Sequence, residues 1–202
     1  LTKAQLKNAG IETIRLSEKN ISSVLRLNGK IDVPPQNLVS VSAPLGGYLR
    51  NTQLLPGMHV RKGQVIAVLE DQQFIQLQQD YLVSKAKLVF AEKEYARQND
   101  LNKSQASSDK VTQMAQAELS SLRAITNSLA EKLKLININP NQISSTKITS
   151  KMNIYAAIDG FVSKVNVNIG KYIAPSEVLF ELINPTDIHL NLNVYEKDVV
   201  NL

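Results

Sequence analysis

The chain has 202 residues and a hydrophobic fraction of 43%, enough for one or two domains with buried cores. It contains no cysteine and no tryptophan, which excludes disulfide scaffolds, thiolate metal sites and cysteine nucleophiles and advertises no thick multilayer core. The formal charge of +5 comes from basic residues interspersed with acidic ones and forms no aromatic-studded patch, so it reads as a mixed solvated surface and implies no nucleic-acid partner.

The chain opens on Leu1 rather than Met and shows no signal peptide, so an N-terminal segment is expected to have been removed. No run of about 18 apolar residues occurs, so nothing in the sequence is expected to span a membrane. VLRLNGKIDV carries two short alternating runs around Asn28-Gly29, a hairpin signal, and residues 1–40 are read as one contribution to a β-domain.

Residues 41–70 read as a small β-unit. APLGGYLRNTQLLPGMHV gives a strand, a glycine, a second strand and a turn at Pro56-Gly57, and QVIAVLE follows as a third strand. Six of the eight glycines fall in this unit and in its second copy further along.

From Gln64 to Asn139 there is neither glycine nor proline. Phe74, Leu77, Tyr81, Ser84, Leu88, Ala91, Tyr95 and Gln98 step by threes and fours, the seam of a coiled coil. A second segment from about Asp109 runs through Val111, Ala115, Leu122, Ile125, Leu129 and Ile136, and Pro140 stops it. Between the two lies NKSQASSDK, with Ser107 or Ser108 as helix N-cap and Asp109 favourable in the first turn. The spacing predicts an antiparallel α-helical hairpin over 71–138, each helix about 45–50 Å long.

DGFVSKVNVNIGKYIAPSEVLFEL, within residues 151–183, repeats the first β-unit without a gap. Gly47 falls on Gly160, Gly57 on Gly170, Val65 on Val178 and Leu69 on Leu182, each pair offset by 113 residues. Neither copy alone has enough apolar surface, so the two are expected to pack as one sandwich from which the hairpin projects. In DIHLNLNV the alternation of Ile188, Leu190, Leu192 and Val194 predicts a half-buried strand. Residues 184–202 thus return to the β-domain begun by 1–40, which is expected to be incomplete because the sequence stops just after VYEKDVVNL.

The paired half-motifs resemble the two halves of a lipoyl or biotinyl carrier domain. With a helical hairpin at the junction after Glu70-Asp71, the chain is similar from about Leu25 to Leu202 to the periplasmic adaptors, or membrane fusion proteins, of tripartite efflux pumps (the HlyD-like secretion family). RQNDLNKSQASS, with Arg97, Leu101 and Ser108, resembles the Arg-x3-Leu-x6-Ser pattern of that family's hairpin tip. TDIHLNLNVYEKDVV resembles the barrel strand of the heavy-metal cation (CusB- and CzcB-like) branch.

The resemblance implies an elongated α+β fold: a split lipoyl-like β-sandwich with an inserted antiparallel coiled-coil hairpin, and part of a β-barrel domain. It implies a non-enzymatic adaptor in the periplasm, held to the inner membrane by a segment outside this chain. Its partners would be an inner-membrane transporter of the RND type and an outer-membrane channel of the TolC type. The adaptor would act as a ring of several copies, exporting heavy-metal cations; an adaptor for drug efflux or protein secretion, a group-carrier domain and a structural spacer are the alternatives.

Arg97 reads either as a solvated residue paired with Glu94 or as a donor fork offered to the duct. Leu101 either closes the hairpin core or anchors in a partner groove, and Ser108 is an N-cap as well as a candidate docking contact. Gly47, Gly57, Gly160 and Gly170 are read as structural turn positions. Met58, His59 and His189 are thin metal candidates, since no carboxylate cluster accompanies them, and no metal site is assigned. Lys151 lacks the tight exposed hairpin that a carrier lysine needs, so no cofactor is expected. No Ser/His/Asp set, acid/base pair or phosphate-binding glycine loop is visible.

Overall fold

The computed structural model describes residues 2–12, 14–18, 24–196 and 199. The chain divides into two compact units, Leu1–Ile31 with Leu190–Leu202, and Asp32–His189.

In the first unit a short helix, α1 (Lys3–Asn8), starts from a capping box between Thr2 and Gln5. Strand β1 (Asn28–Asp32) pairs with the last strand, β10 (His189–Asn193), in a two-stranded sheet. The hairpin expected at Asn28-Gly29 does not form: both residues lie inside β1. Gly29 serves close approach instead, because a Cβ there would stand 2.7 Å from the Asn191 carbonyl oxygen. Every residue of β1 and β10 is exposed, so the half-buried strand expected from the alternation is not found: a two-stranded ribbon has no second layer to pack on. Residues 197, 198 and 200–202 of the terminal stretch lie outside the described residues.

The second unit holds the repeat. Its first half supplies β2 (Leu38–Ser42), β3 (Gly47–Thr52), β4 (His59–Val60) and β5 (Val65–Glu70). The helices α2 (Gln72–Lys103) and α3 (Asp109–Leu135) follow. The second half then supplies β6 (Lys151–Tyr155), β7 (Gly160–Val165), β8 (Tyr172–Ile173) and β9 (Val178–Ile183). Each of β6 to β9 lies 113 residues after its counterpart, so the repeat reaches back to Leu38, beyond the motif visible in sequence.

The halves are interleaved. One sheet runs β2-β9-β7-β4 and the other β6-β5-β3-β8, so each takes two strands from each half, and exchanging the halves converts one order into the other. The cross-links are reciprocal too. The Gly57 amide donates to the Val162 carbonyl at 2.8 Å, and 113 residues on, the Gly170 amide donates to the Leu49 carbonyl at 2.7 Å. Leu49, Leu69, Ile173, Leu179, Phe180 and Leu182 are fully enclosed between the sheets, which are open rather than closed into a barrel.

The helices leave the sandwich through an N-cap at Asp71, whose carboxylate accepts from the Gln73 amide at 2.9 Å. The residue 113 later, Asn184, accepts from the Thr186 amide at 3.1 Å in the same way. The backbone amides of both cap residues are anchored alike, Asp71 to the Ser150 carbonyl and Asn184 to the Asn37 carbonyl. One turn therefore occurs twice, and a long helix follows only the first, where 32 residues free of glycine and proline come next.

On α2 the expected seam holds: Phe74, Tyr81, Ser84 and Ala91 are buried. On α3 it holds at Ala115, Leu122, Leu129 and Ile136, which are half-buried or buried, and fails at two positions. Leu119, Thr126 and Leu133 are buried, whereas Val111 and Ile125 are 42% and 48% exposed. The reason is polar. The Ser84 and Thr126 hydroxyls pair across the seam at 2.8 Å, which turns Thr126 inward and Ile125 out. At the root, buried Gln78 donates to the Thr149 carbonyl at 2.7 Å and accepts from the Thr149 amide at 3.1 Å, tying α2 to the returning chain.

Candidate functional site

At the tip α2 ends at Lys103, Gln105 takes the left-handed conformation at φ 59°, and Ser108 begins α3. The turn is tied from both sides. The Asn102 amide group donates to the Asp109 carboxylate at 2.8 Å and to the Ser107 carbonyl at 3.2 Å. The Ser107 hydroxyl donates to the Gln98 side chain at 3.0 Å, and the Thr112 hydroxyl donates to the Gln98 carbonyl at 3.3 Å. Sequence reasoning missed Asn102 and Thr112, and read Ser107 only as a candidate N-cap. The available signal was Gln98 followed four residues later by Asn102, polar residues where the seam calls for apolar ones.

The three candidate docking residues are all outside this network of the turn. Leu101 is 39% exposed and sits one position off the seam, so it does not close the hairpin core. Arg97, one turn before it on the same face, is solvent-exposed and ion-paired with Glu94. The Gln98 amide, together with Arg97, holds the Glu94 carboxyl below the usual carboxylate range against the opposing effect of desolvation. Ser108 occupies the N-cap position, but its hydroxyl makes no capping bond, leaving it exposed at the apex. An arginine fork, an apolar side chain and an uncommitted hydroxyl are thus presented to solvent within about two turns of helix of the apex.

The four repeat glycines fall into two geometries. Gly57 and Gly170 adopt φ 87° and 86°, which L-residues rarely take. Gly47 and Gly160 are close approaches: an added Cβ would lie 3.3 Å from the Glu70 carbonyl oxygen at the first and 2.2 Å from that of Ile183 at the second. A third equivalent pair was not read from the sequence, because Gly63 at φ 80° is matched by Ser176 at φ 66° rather than by a glycine.

The metal candidates find other roles. The His59 ring packs edge-on against Phe161 with centroids 5.0 Å apart. Its counterpart Tyr172 packs the same way on Tyr48 at 5.2 Å, so His59 fills an aromatic position of the repeat. The Met58 sulfur accepts from the Leu55 amide at 3.2 Å, and His189 lies 3.3 Å from the Asp187 carboxylate. Among the described residues no group of three or more His, Cys, Asp or Glu could hold a metal ion. Lys151 stands opposite Glu70 in the β5–β6 ladder.

Residues 37–184 match the family of CzcB-like barrel-sandwich hybrid domains. The chain belongs to this family. The match spans both halves of the repeat and the hairpin between them. The chain is similar to the cobalt-zinc-cadmium resistance protein CzcB of Cupriavidus metallidurans, 21% identical over 199 residues that cover 98% of this chain and 38% of that relative. It therefore spans well under half the length of the curated relative it matches. Among solved structures it is similar to ZneB from Cupriavidus metallidurans, with a TM-score of 0.60 and 21% identity over 87% of this chain and 72% of that one. It is equally similar in fold to a MacA–MexA chimera carrying the Pseudomonas aeruginosa MexA α-hairpin domain, with a TM-score of 0.60 and 19% identity over 85% of this chain and 55% of that one. These likenesses carry the fold: a barrel-sandwich hybrid whose halves are parted by a helical hairpin.

Proposed function

We propose that the chain is the lipoyl-like and hairpin portion of a periplasmic adaptor, a non-enzymatic linker between an RND-type transporter in the inner membrane and a TolC-type channel in the outer membrane. The observation that carries this reading is the hairpin itself, a stiff arm ending in an exposed Arg97, Leu101 and Ser108 and rooted between interleaved halves of one sandwich. The arm docks by its tip on the helical ends of the channel, and the β-units rest on the transporter. Of the stretches 1–40 and 184–202 read from the sequence as barrel, Leu38–Ser40 lie instead in β2 of the sandwich, and the remainder is assigned to the barrel domain. Several copies form a ring around the conduit. No helix among the described residues is long and apolar enough to cross a membrane. The resemblance to membrane-held adaptors assigns the anchor to a segment outside this chain.

Heavy-metal cations are the cargo, a choice supported by the name of the curated relative. The test is the metal content of host cells with the gene intact, deleted, or carrying Arg97→Asp. Accumulation of zinc, cobalt, cadmium, copper or silver in both altered strains is expected. Normal export by Arg97→Asp at normal protein level would remove the tip assignment, and accumulation in neither strain would redirect the cargo to drugs or secreted proteins.

A further inference from the structure

The arm leaves the sandwich and returns to it in unequal ways. Between β5 and α2 stands the single residue Asp71, whereas α3 and β6 are joined by the whole stretch 136–150. A connection of that length inside a compact unit is uncommon unless it serves a site. The stretch is not slack. Ile136, Pro140 and Ile143 are buried and Asn137, Asn139 and Gln142 between them are exposed, so apolar anchors alternate with projecting amides. Asn137, at φ 59°, closes α3 by donating its backbone amide to the Lys134 carbonyl at 2.9 Å, and a turn of 3₁₀ helix, Pro140–Gln142, follows. Between this stretch and β6 lies a cleft of about 430 Å³, within the range of small-molecule sites.

We propose that this cleft binds an acidic sugar, a polyhydroxylated ring bearing a carboxylate. Charge is the first argument. Lys147 and Lys151 line the cleft, and no aspartate or glutamate does. Neither ammonium group has an ion-pair or hydrogen-bond partner among the described residues. Glu70, opposite Lys151 in the β5–β6 ladder, is already engaged by Ser150 and Arg50. The cleft therefore favours an anion, and it is no place for the metal cations of the adaptor reading. Hydrogen bonding is the second argument. The Asn137 side chain donates to the Asn153 carbonyl at 3.4 Å, which leaves its own carbonyl oxygen free to accept. The Asn139 side-chain oxygen accepts from the Asn141 amide at 3.0 Å, which leaves its NH2 group free to donate. Gln142 and Asn153 line the same cleft with both groups of their amides. An amide that donates and accepts in one plane matches neighbouring sugar hydroxyls, which do the same. Ile138, half-buried in the lining, offers a surface to the C–H face of the ring. No aromatic ring lines the cleft, so a nucleotide, whose base needs a stacking partner, is a poorer match. The occupant would bridge the connection and β6 beside the Gln78–Thr149 tie, at the root of the arm. The inference goes beyond the adaptor reading and is measured on the purified chain with soluble sugars, so either can fail without the other.

Proton–nitrogen NMR of the purified chain, titrated with sodium glucuronate at constant ionic strength, reads the site directly. Saturable shifts are expected in the side-chain amide signals of Asn139, Gln142 and Asn153. Glucose lacks the carboxylate and acetate lacks the hydroxyls, and each is expected to bind at least about tenfold more weakly. Lys147→Gln and Lys151→Gln remove one ammonium group apiece, and each is expected to raise the glucuronate dissociation constant about fivefold. Lys164→Gln, on β7 of the other sheet, removes the same charge and should leave it unchanged. All three lysines are exposed, and the dispersion of the backbone signals checks that each variant stays folded. No saturable shift, equal binding of glucose or acetate, or equal weakening by Lys164→Gln would overturn the inference.

Discussion

Gly47→Ala and Gly160→Ala are the same substitution at equivalent places of the repeat, and the structure assigns them different costs. At Gly160 the new methyl would stand 2.2 Å from the Ile183 carbonyl oxygen and 3.0 Å from its carbon. Both are backbone atoms of β9, and Ile183 is held in register by Phe161 on one side and Leu38 on the other. Relief requires prising β7 from β9, an overpacking cost of about 2–3 kcal/mol. At Gly47 the nearest atoms are the Glu70 carbonyl oxygen at 3.3 Å and Asp71 Cβ and the Phe74 ring at 3.4 Å. A shift of a few tenths of an ångström suffices there. The alanine also restricts the unfolded chain, which returns about 0.4–1 kcal/mol, so Gly47→Ala is expected to fall near zero. Urea unfolding followed by tyrosine fluorescence should separate the two variants by at least about 2 kcal/mol, or about 4–8 °C in Tm. Equal stabilities, or a greater loss for Gly47→Ala, would refute the idea that the close approach at Gly160 is the tighter half of the pair.

Gln78→Leu strips the Thr149 amide and carbonyl of their side-chain partner, and a loss of about 2 kcal/mol is expected in the same unfolding assay, whereas Gln79→Leu, exposed on the next position, should stay within about 0.5 kcal/mol. His59→Tyr places in the first half the residue that its counterpart carries, so it should leave stability within about 1 kcal/mol, and zinc should stabilise neither form; a large zinc-dependent shift in Tm lost in the variant would restore the metal reading. The Ser150 hydroxyl and Arg50 together hold the Glu70 carboxyl below its ordinary value of 4.5. Its contribution is therefore present above about pH 4.5 and is lost as pH falls through the lower folded value. Glu70→Gln should show a shallower loss of stability on acidification over that window, and an unchanged acid slope would count against the assigned cause.

What the sequence made legible was whatever the backbone demands. Gly57 and Gly170 could be matched because positive φ leaves few substitutes, and the helices could be read because 32 residues without a breaker must go somewhere regular. Side-chain chemistry that departs from apolar patterning stayed hidden. Ile125 was placed in the seam on hydrophobicity alone, yet Thr126 is buried there because it shares a hydroxyl contact with Ser84. The strand Leu38–Ser42 escaped notice since LVSVS and KMNIY share only alternation, while their equivalence lies in their pairing with β9 and β5. Asn28-Gly29 misled for the complementary reason: the dipeptide permits a tight turn, but a glycine also lets a neighbouring strand approach, and nothing local distinguishes the two. At the tip, position was readable and chemistry was not, since Ser108 begins α3 without capping it.

Asp71 and Asn184 show why the arm could be inserted without disturbing its base. Both accept from the amide two residues on, and both have their own amide fixed by the strand before the equivalent sheet entry. The sandwich therefore ends each half in a turn that already caps a helix, whether or not one follows. After Asn184 comes Pro185 and then the alternating β10; after Asp71 come the helix formers of α2. Because Glu70 and Lys151 stand opposite each other in the β5–β6 ladder, the two roots of the arm leave from one point of the sheet. The twofold hydrogen bonds of the sandwich place no constraint on what lies between them. Arm length is then set by the number of heptads alone, each adding about 10 Å of reach while leaving every contact of the base in place.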